Sequence, residues 1–207
     1  MEIFDISQTL EEGIAVWPGD PEFRRNPVLR IDEGESSNVS AIHFGTHTGT
    51  HIDAPLHVDS TGQDAAGISL HRCIGPARVL SIPAEKCIRA ADLVSLAWRG
   101  VERVLFRTKT GGLPESSFGR YFVYLDEDAA EFIAEHGILL VGTDAPSVDS
   151  FDSIELHSHK ALLRNGIVVV ENLRLGNVPP GDYSLVCLPL KIAGADGSPA
   201  RAILFRD

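Results

Sequence analysis

The chain has 207 residues, enough for one domain with a sizeable core, and 43% hydrophobic and 23% charged residues are ordinary for a folded globular protein. A formal net charge of −11 argues against nucleic acid or an anionic membrane as partner, because both select basic surfaces. No apolar run approaches the ~20 residues that span a bilayer. The acidic start Met1-Glu2-Ile3-Phe4-Asp5 lacks the basic-then-apolar order of a secretion signal, so the expected location is the cytoplasm.

Short β-rich runs dominate, covering in chain order residues 2–6, 39–45, 77–82, 103–107, 121–125, 138–141, 167–170, 185–190 and 201–205. Three stretches read as helices. Residues 90–98 carry Leu93, Val94 and Ala97 on one side. Residues 126–136 open on three acids and stop at Gly137, and residues 154–164 carry Leu156, Ala161 and Leu163 and stop at Gly166. Strands outnumber helices and the helices come in the second half, which predicts a single α/β domain over residues 1–207 with a mixed, strand-rich sheet. Turn signals at Trp17-Pro18-Gly19-Asp20-Pro21, Asn26-Pro27, Glu33-Gly34 and Thr61-Gly62 make the first half irregular and point to a loop-built site.

Cys73, Cys87 and Cys187 are odd in number and far apart, and read as reduced thiols, not as a disulfide framework or a thiolate zinc site. The histidines carry more information, since His43, His47, His51 and His57 fall within fifteen positions. His47, His51 and Asp53 offer two imidazoles and a carboxylate, the mixture of nitrogen and oxygen donors that divalent metals such as zinc accept. Gly49, Pro55 and the β-branched Thr46, Thr48, Thr50 and Ile52 favour a turn leaving a strand over a helix. His57 is either a further ligand or a general acid/base. His43, on an alternating strand, reads as structural.

Further ligands must come from far along the chain. His157 and His159 lie on the third predicted helix, and Glu171 closes the apolar run Ile167-Val168-Val169-Val170. A carboxylate ending a buried strand is costly unless paired or metal-bound, whereas at a solvated strand end it is ordinary. Serine-hydrolase chemistry is excluded by the lack of a G-x-S-x-G elbow, and neither a phosphate loop nor a dinucleotide fingerprint is present.

The segment His47-Thr48-Gly49-Thr50-His51-Ile52-Asp53-Ala54-Pro55-Leu56-His57 resembles the H-x-G-T-H-x-D-A-P-x-H signature of the cyclase-like metal-dependent amidohydrolases. The resemblance runs from end to end. Asp5-Ile6-Ser7, Val16-Trp17-Pro18-Gly19-Asp20, Gly142-Thr143-Asp144-Ala145-Pro146-Ser147-Val148-Asp149, Val178-Pro179-Pro180-Gly181-Asp182-Tyr183 and Cys187-Leu188-Pro189-Leu190-Lys191 are similar to segments of the members that cleave aryl formamides.

The resemblance implies a fold of swivelling β/β/α type and two zinc ions per subunit, other divalent metals being possible. His47, His51 and Asp53 would hold one ion; Asp53 and Glu171 would bridge to a second, completed by His159. It also implies His57 as proton donor and acceptor, Trp17 in the substrate pocket, and a homodimer or larger oligomer. Near the second-metal histidine the chain departs from its relatives, reading Leu156-His157-Ser158-His159-Lys160. The twelve-residue step to Glu171 selects His159 over His157. The implied activity is hydrolysis of N-formyl-L-kynurenine to L-kynurenine and formate, a step of tryptophan degradation. Its rivals are a cyclic-amide hydrolase acting on isatin and a non-catalytic metal-binding protein. By residue type alone, Trp17 equally fits a buried core position.

Overall fold

The computed structural model describes residues 1–112, 116 and 119–206. In chain order the elements are β1 (Glu2–Asp5), β2 (Arg24–Leu29), β3 (Val39–His43), β4 (His51–Asp53), α1 (Leu70–Cys73), β5 (Ile74–Ser81), β6 (Cys87–Ile88), α2 (Ala90–Leu93), β7 (Arg103–Arg107), β8 (Tyr124–Leu125), α3 (Glu127–Ala134), β9 (Leu140–Thr143), α4 (His157–Arg164), β10 (Val168–Glu171), β11 (Gly181–Pro189) and β12 (Gly197–Arg206). The main sheet runs β1-β12-β11-β5-β7-β9-β10-β4, and β4 pairs again with β12. That last pairing closes a barrel, with β1 left as an outer strand on β12. Strands β5, β7, β9 and β10 are parallel and the remaining pairings antiparallel. The expected α/β class with a mixed sheet is borne out.

The side-chain alternation of each strand sorts residues into two cores. Leu105, Leu140, Val168 and Val170 pack inside the barrel with Ile52, Leu185 and Leu204. Their neighbours Val104, Phe106, Val141 and Val169 point outward onto Ile133 of α3 and Leu162 and Leu163 of α4. Buried on both faces, β7, β9 and β10 are mostly apolar runs, which makes them conspicuous in the sequence, whereas β5 alternates between buried Ala77 and Val79 and more exposed neighbours.

Several elements differ from expectation. Asn26-Pro27 lies inside β2, not in a turn; β2 and β3 form an exposed two-stranded ribbon with an irregularity between Pro27 and Leu29, where a missing N–H is tolerated. The helix expected over 90–98 is regular only for Ala90–Leu93, because the Trp98 indole N–H, 2.9 Å away, takes the Leu93 carbonyl. Of 121–125 only Tyr124–Leu125 joins a ladder, since the Val123 N–H is spent on the Thr110 hydroxyl. Helix α4 starts at His157, after Leu156 adopts a left-handed backbone (φ 50°). Residues 46–50 form the expected turn leaving a strand, β3, and lead directly into a second one, β4. No helix among the described residues is long and apolar enough to cross a membrane.

Candidate metal centre

Strand β4 places His51 and Asp53 on one face, while Ile52 between them points into the barrel. In the β10–β4 ladder Glu171 stands opposite His51 and Val169 opposite Asp53. Glu171 shares the outward face of Val169, so its carboxylate meets the two β4 side chains outside the barrel. His159 arrives from the first turn of α4. Asp149 anchors it, accepting the backbone N–H groups of Ser158 and His159 at 3.0 Å each and facing His159 Nδ1 at 2.7 Å. The site is therefore mixed: His51, Asp53 and Glu171 stand on strands and His159 on a helix, while His47, His57 and Trp17 come from the irregular segments to which the sequence pointed.

Gly49 shapes the approach of His47 to β4. Its φ is +64°, and a Cβ there would lie 2.7 Å from Leu10 Cδ2. The Gly49 carbonyl faces His51 Nδ1 at 2.8 Å, which leaves His51 Nε2 to point inward.

The donor atoms are close but not hydrogen-bonded to one another. His51 Nε2 is 3.4 Å from both Asp53 Oδ1 and Glu171 Oε2. His159 Nε2 is 3.4 Å from Asp53 Oδ2 and 3.2 Å from Glu171 Oε1, and His47 Nδ1 is 2.8 Å from Asp53 Oδ1. Among the described residues, His51 Nε2 and both Asp53 oxygens are buried without a hydrogen-bond partner. Orphaned buried atoms of this kind are costly unless something absent from the protein itself satisfies them. Donors at ~2.0–2.1 Å around a tetrahedral ion stand ~3.3–3.4 Å apart, the spacing of most of these pairs. Three triads of donor atoms emerge: His47/His51/Asp53 and Asp53/His159/Glu171, both largely buried and sharing Asp53, and the more open His47/His57/Asp196. The set fits a divalent metal.

Electrostatics agree. Burial works against a proton on His47 and on His51, but Asp196 and Asp53 lift the first to about 9, and Asp53 and Glu171 lift the second to about 10. His159 is likewise raised, against its burial, by Glu171, Asp149 and Asp53. Asp53 is held well below its ordinary range despite burial, by His159, His47 and His51. The cluster holds positive charge, as protons or as an ion.

His57 belongs to neither Asp53-containing triad. It ends a short 3₁₀ turn, Pro55–His57, with its ring centroid 4.4 Å from that of His47 and 5.3 Å from that of His159. Burial pushes its pKa down, keeping the imidazole neutral. His157 faces outward at the start of α4 beside Glu127 (3.4 Å), and His43 is exposed on β3; neither joins the cluster.

A cavity of about 400 Å³ opens over the cluster. Trp17 lines it, set by a turn in which the Asp20 N–H bonds to the Trp17 carbonyl at 2.9 Å. Its ring stacks on Phe151 (centroids 5.0 Å apart, 27°) and meets Phe122 edge-on at 6.3 Å. Among the described lining residues Arg174 is the single Lys or Arg. Sequence reasoning assigned no role to Asp149, Asp196, Phe122, Phe151 or Arg174. Asp149 sits in a quoted motif ten residues before His159, a signal that was available; Asp196 is 149 positions from His47 with no local pattern to mark it.

A closed mixed barrel carrying this donor set beside a cavity defines the cyclase-like class of metal hydrolases. The model of the family described as "Putative cyclase" matches residues 4–150, and the chain belongs to that family. It is 45% identical over 206 residues to a kynurenine formamidase of Salinibacter ruber, covering 99% of this chain and 97% of the relative. A solved structure described as a potential metal-dependent hydrolase with cyclase activity superposes with a TM-score of 0.85 at 33% identity, covering 100% of this chain and 98% of the other. Isatin hydrolase A from Labrenzia aggregata shares the fold alone, at a TM-score of 0.84 and 22% identity over 98% of this chain and 93% of its own.

Proposed function

We propose that the chain is a divalent-metal-dependent arylformamidase that hydrolyses N-formyl-L-kynurenine to L-kynurenine and formate. The observation that carries this reading is the end-to-end likeness to a curated kynurenine formamidase, against fold-level likeness only to isatin hydrolase. His47, His51 and Asp53 hold one ion, and Asp53, His159 and Glu171 a second; the nitrogen and oxygen donors favour zinc. When bound, such ions lower the pKa of a water nucleophile and polarise the formyl oxygen.

The protein's own groups do the rest. Trp17, Phe151 and Phe122 form an aromatic wall for the substrate's benzoyl ring. Arg174 supplies a counter-charge for the α-carboxylate. His57, neutral and half-enclosed above the cluster, accepts the proton of the attacking water and delivers it to the aryl nitrogen as the C–N bond breaks. Without that proton the leaving group would be an anilide anion, a very poor one.

The reading includes a cytoplasmic enzyme, in keeping with three free thiols and no disulfide. It also includes a homodimer, for which the exposed apolar Val28, Ile31 and Ile42 on and beside the β2–β3 ribbon offer a face. Formate release from N-formyl-L-kynurenine by the metal-loaded protein, run beside isatin, tests the function. Faster isatin opening would reassign the substrate, and metal uptake without turnover of either would leave a binding protein. Light scattering of the purified protein tests the dimer.

A further inference from the structure

His47 is gripped from both ends. Its Nδ1 faces Asp53 at 2.8 Å and belongs to the triad with His51, while its Nε2 faces Asp196 Oδ2 at 3.2 Å. The other Asp196 oxygen accepts a hydrogen bond from the Thr46 hydroxyl at 2.9 Å, so the carboxylate is itself oriented. Its main chain is pinned as well: the Asp196 carbonyl accepts the Ala54 N–H at 2.9 Å, and Gly197 pairs with Asp53 in the β12–β4 ladder. A Cβ on Gly197 would lie 2.7 Å from His47 Cε1, so only glycine lets the ring rest there. Asp196 Oδ2 is also 3.9 Å from His57 Nδ1, between the ligand and the proton-carrying histidine.

We infer that Asp196 is a positioning residue that fixes the His47 tautomer. By accepting the Nε2–H it leaves the Nδ1 lone pair facing Asp53 and His51, with Gly197 as the floor on which the ring lies. The other two ligand histidines have outward acceptors too, Gly49 for His51 and Asp149 for His159. Such outer partners orient the ring and raise its basicity as a ligand. Asp149 is buried and also caps α4, so its loss would disturb folding. The Asp196 side chain is 47% exposed and its carboxylate serves Thr46 and the histidines, which separates positioning from folding.

This inference rests on the metal-dependent reading above, and cobalt(II) titration of the metal-free protein tests both separately. Asp196→Asn should lower cobalt affinity about 10- to 100-fold by chelator competition. It should also change the visible d–d absorption of the cobalt-loaded protein, while the metal-free melting temperature moves by no more than ~2–4 °C. Gly197→Ala should shift the same absorption by displacing the His47 ring. Wild-type affinity and spectrum in Asp196→Asn would overturn the inference. Wild-type protein that binds no cobalt would overturn the metal reading instead. Should Asp196→Asn fail to fold, Thr46→Val loosens the same carboxylate, and an unchanged cobalt affinity and spectrum there would be equally decisive against it.

Discussion

Glu171 lies directly across the β10–β4 ladder from His51, and its Oε2 stands 3.4 Å from His51 Nε2. Two residues 120 positions apart in sequence are thus held in register by backbone pairing and not by a flexible loop. Strand register is resistant to slippage wherever one face is buried, and here Ile52 and Val170 bury the other face in the barrel. Glu171→Gln should therefore keep the fold and lose a metal equivalent. We expect elemental analysis after dialysis to find about one equivalent fewer than in the wild type; full occupancy with wild-type activity would remove Glu171 from the ligand set.

Metal-free protein should show an unusual pH profile. His47 and His51 bind protons more tightly when folded, at about 9 and about 10 against 6.5 unfolded. The folded state thus carries extra protons above pH 6.5, and stability falls as pH rises towards 9–10. Asp53 and Glu171 lie below their ordinary 3.8 and 4.5, so their contribution is present above those values and lost on further acidification. Metal-free stability should peak near pH 5–6 in thermal melts. Metal affinity should rise with pH through the alkaline window, since the ion displaces the same protons. A metal-free melting temperature that climbs between pH 6.5 and 9 would contradict this.

Trp17→Ala tests the aromatic wall. Ring contacts of this kind are worth ~0.5–1.5 kcal/mol, so KM should rise roughly 2- to 12-fold at unchanged metal content. Trp17 is partly exposed, so the melting temperature should change little. A variant that precipitates would instead make Trp17 a core residue, the other reading its residue type allows.

Arg174→Gln tests recognition of the amino-acid end. Charge-assisted hydrogen bonds contribute ~1.5–3 kcal/mol, so KM for N-formyl-L-kynurenine should rise by at least about tenfold. Hydrolysis of 2′-formamidoacetophenone, which keeps the ring and the formamide but lacks the carboxylate, should not change. Equal losses on both substrates would assign Arg174 to the scaffold.

The legibility of the site in the sequence followed locality. His47, His51, Asp53 and His57 sit within one short segment, and Glu171 ends a buried strand whose apolar run was conspicuous. The central parallel strands β7, β9 and β10 were legible for the same reason, their apolar residues being contiguous. Strand β4 was not, because the alternation of three residues among glycine and threonine is too short to mark a strand, and its strand character comes from pairing with β10 and β12. Asp196 was invisible because its role depends on where β12 begins relative to β4, a tertiary fact. The ribbon β2 was read as irregular because Pro27 signals a turn, and only an exposed two-stranded edge makes that proline acceptable.

The His57 ring lies among the candidate metal ligands without touching the carboxylate they share. It stands over His47 and His159, outside both Asp53 triads, and burial keeps it neutral, ready to take a proton. If it carries the proton from water to the aryl nitrogen, His57→Asn should retain full metal content and lose about 10²–10⁴-fold in kcat. The loss should fall mainly on substrates whose leaving group needs that proton. An activated aryl formate ester, whose phenolate leaves unaided, should therefore lose much less rate than N-formyl-L-kynurenine does. As a ligand His57 would behave differently: metal content would drop in step with activity, and ester and amide would suffer alike. Parallel measurement of metal content and of both rates in His57→Asn separates the two, and a depleted site with equal losses would overturn the proton-carrier role.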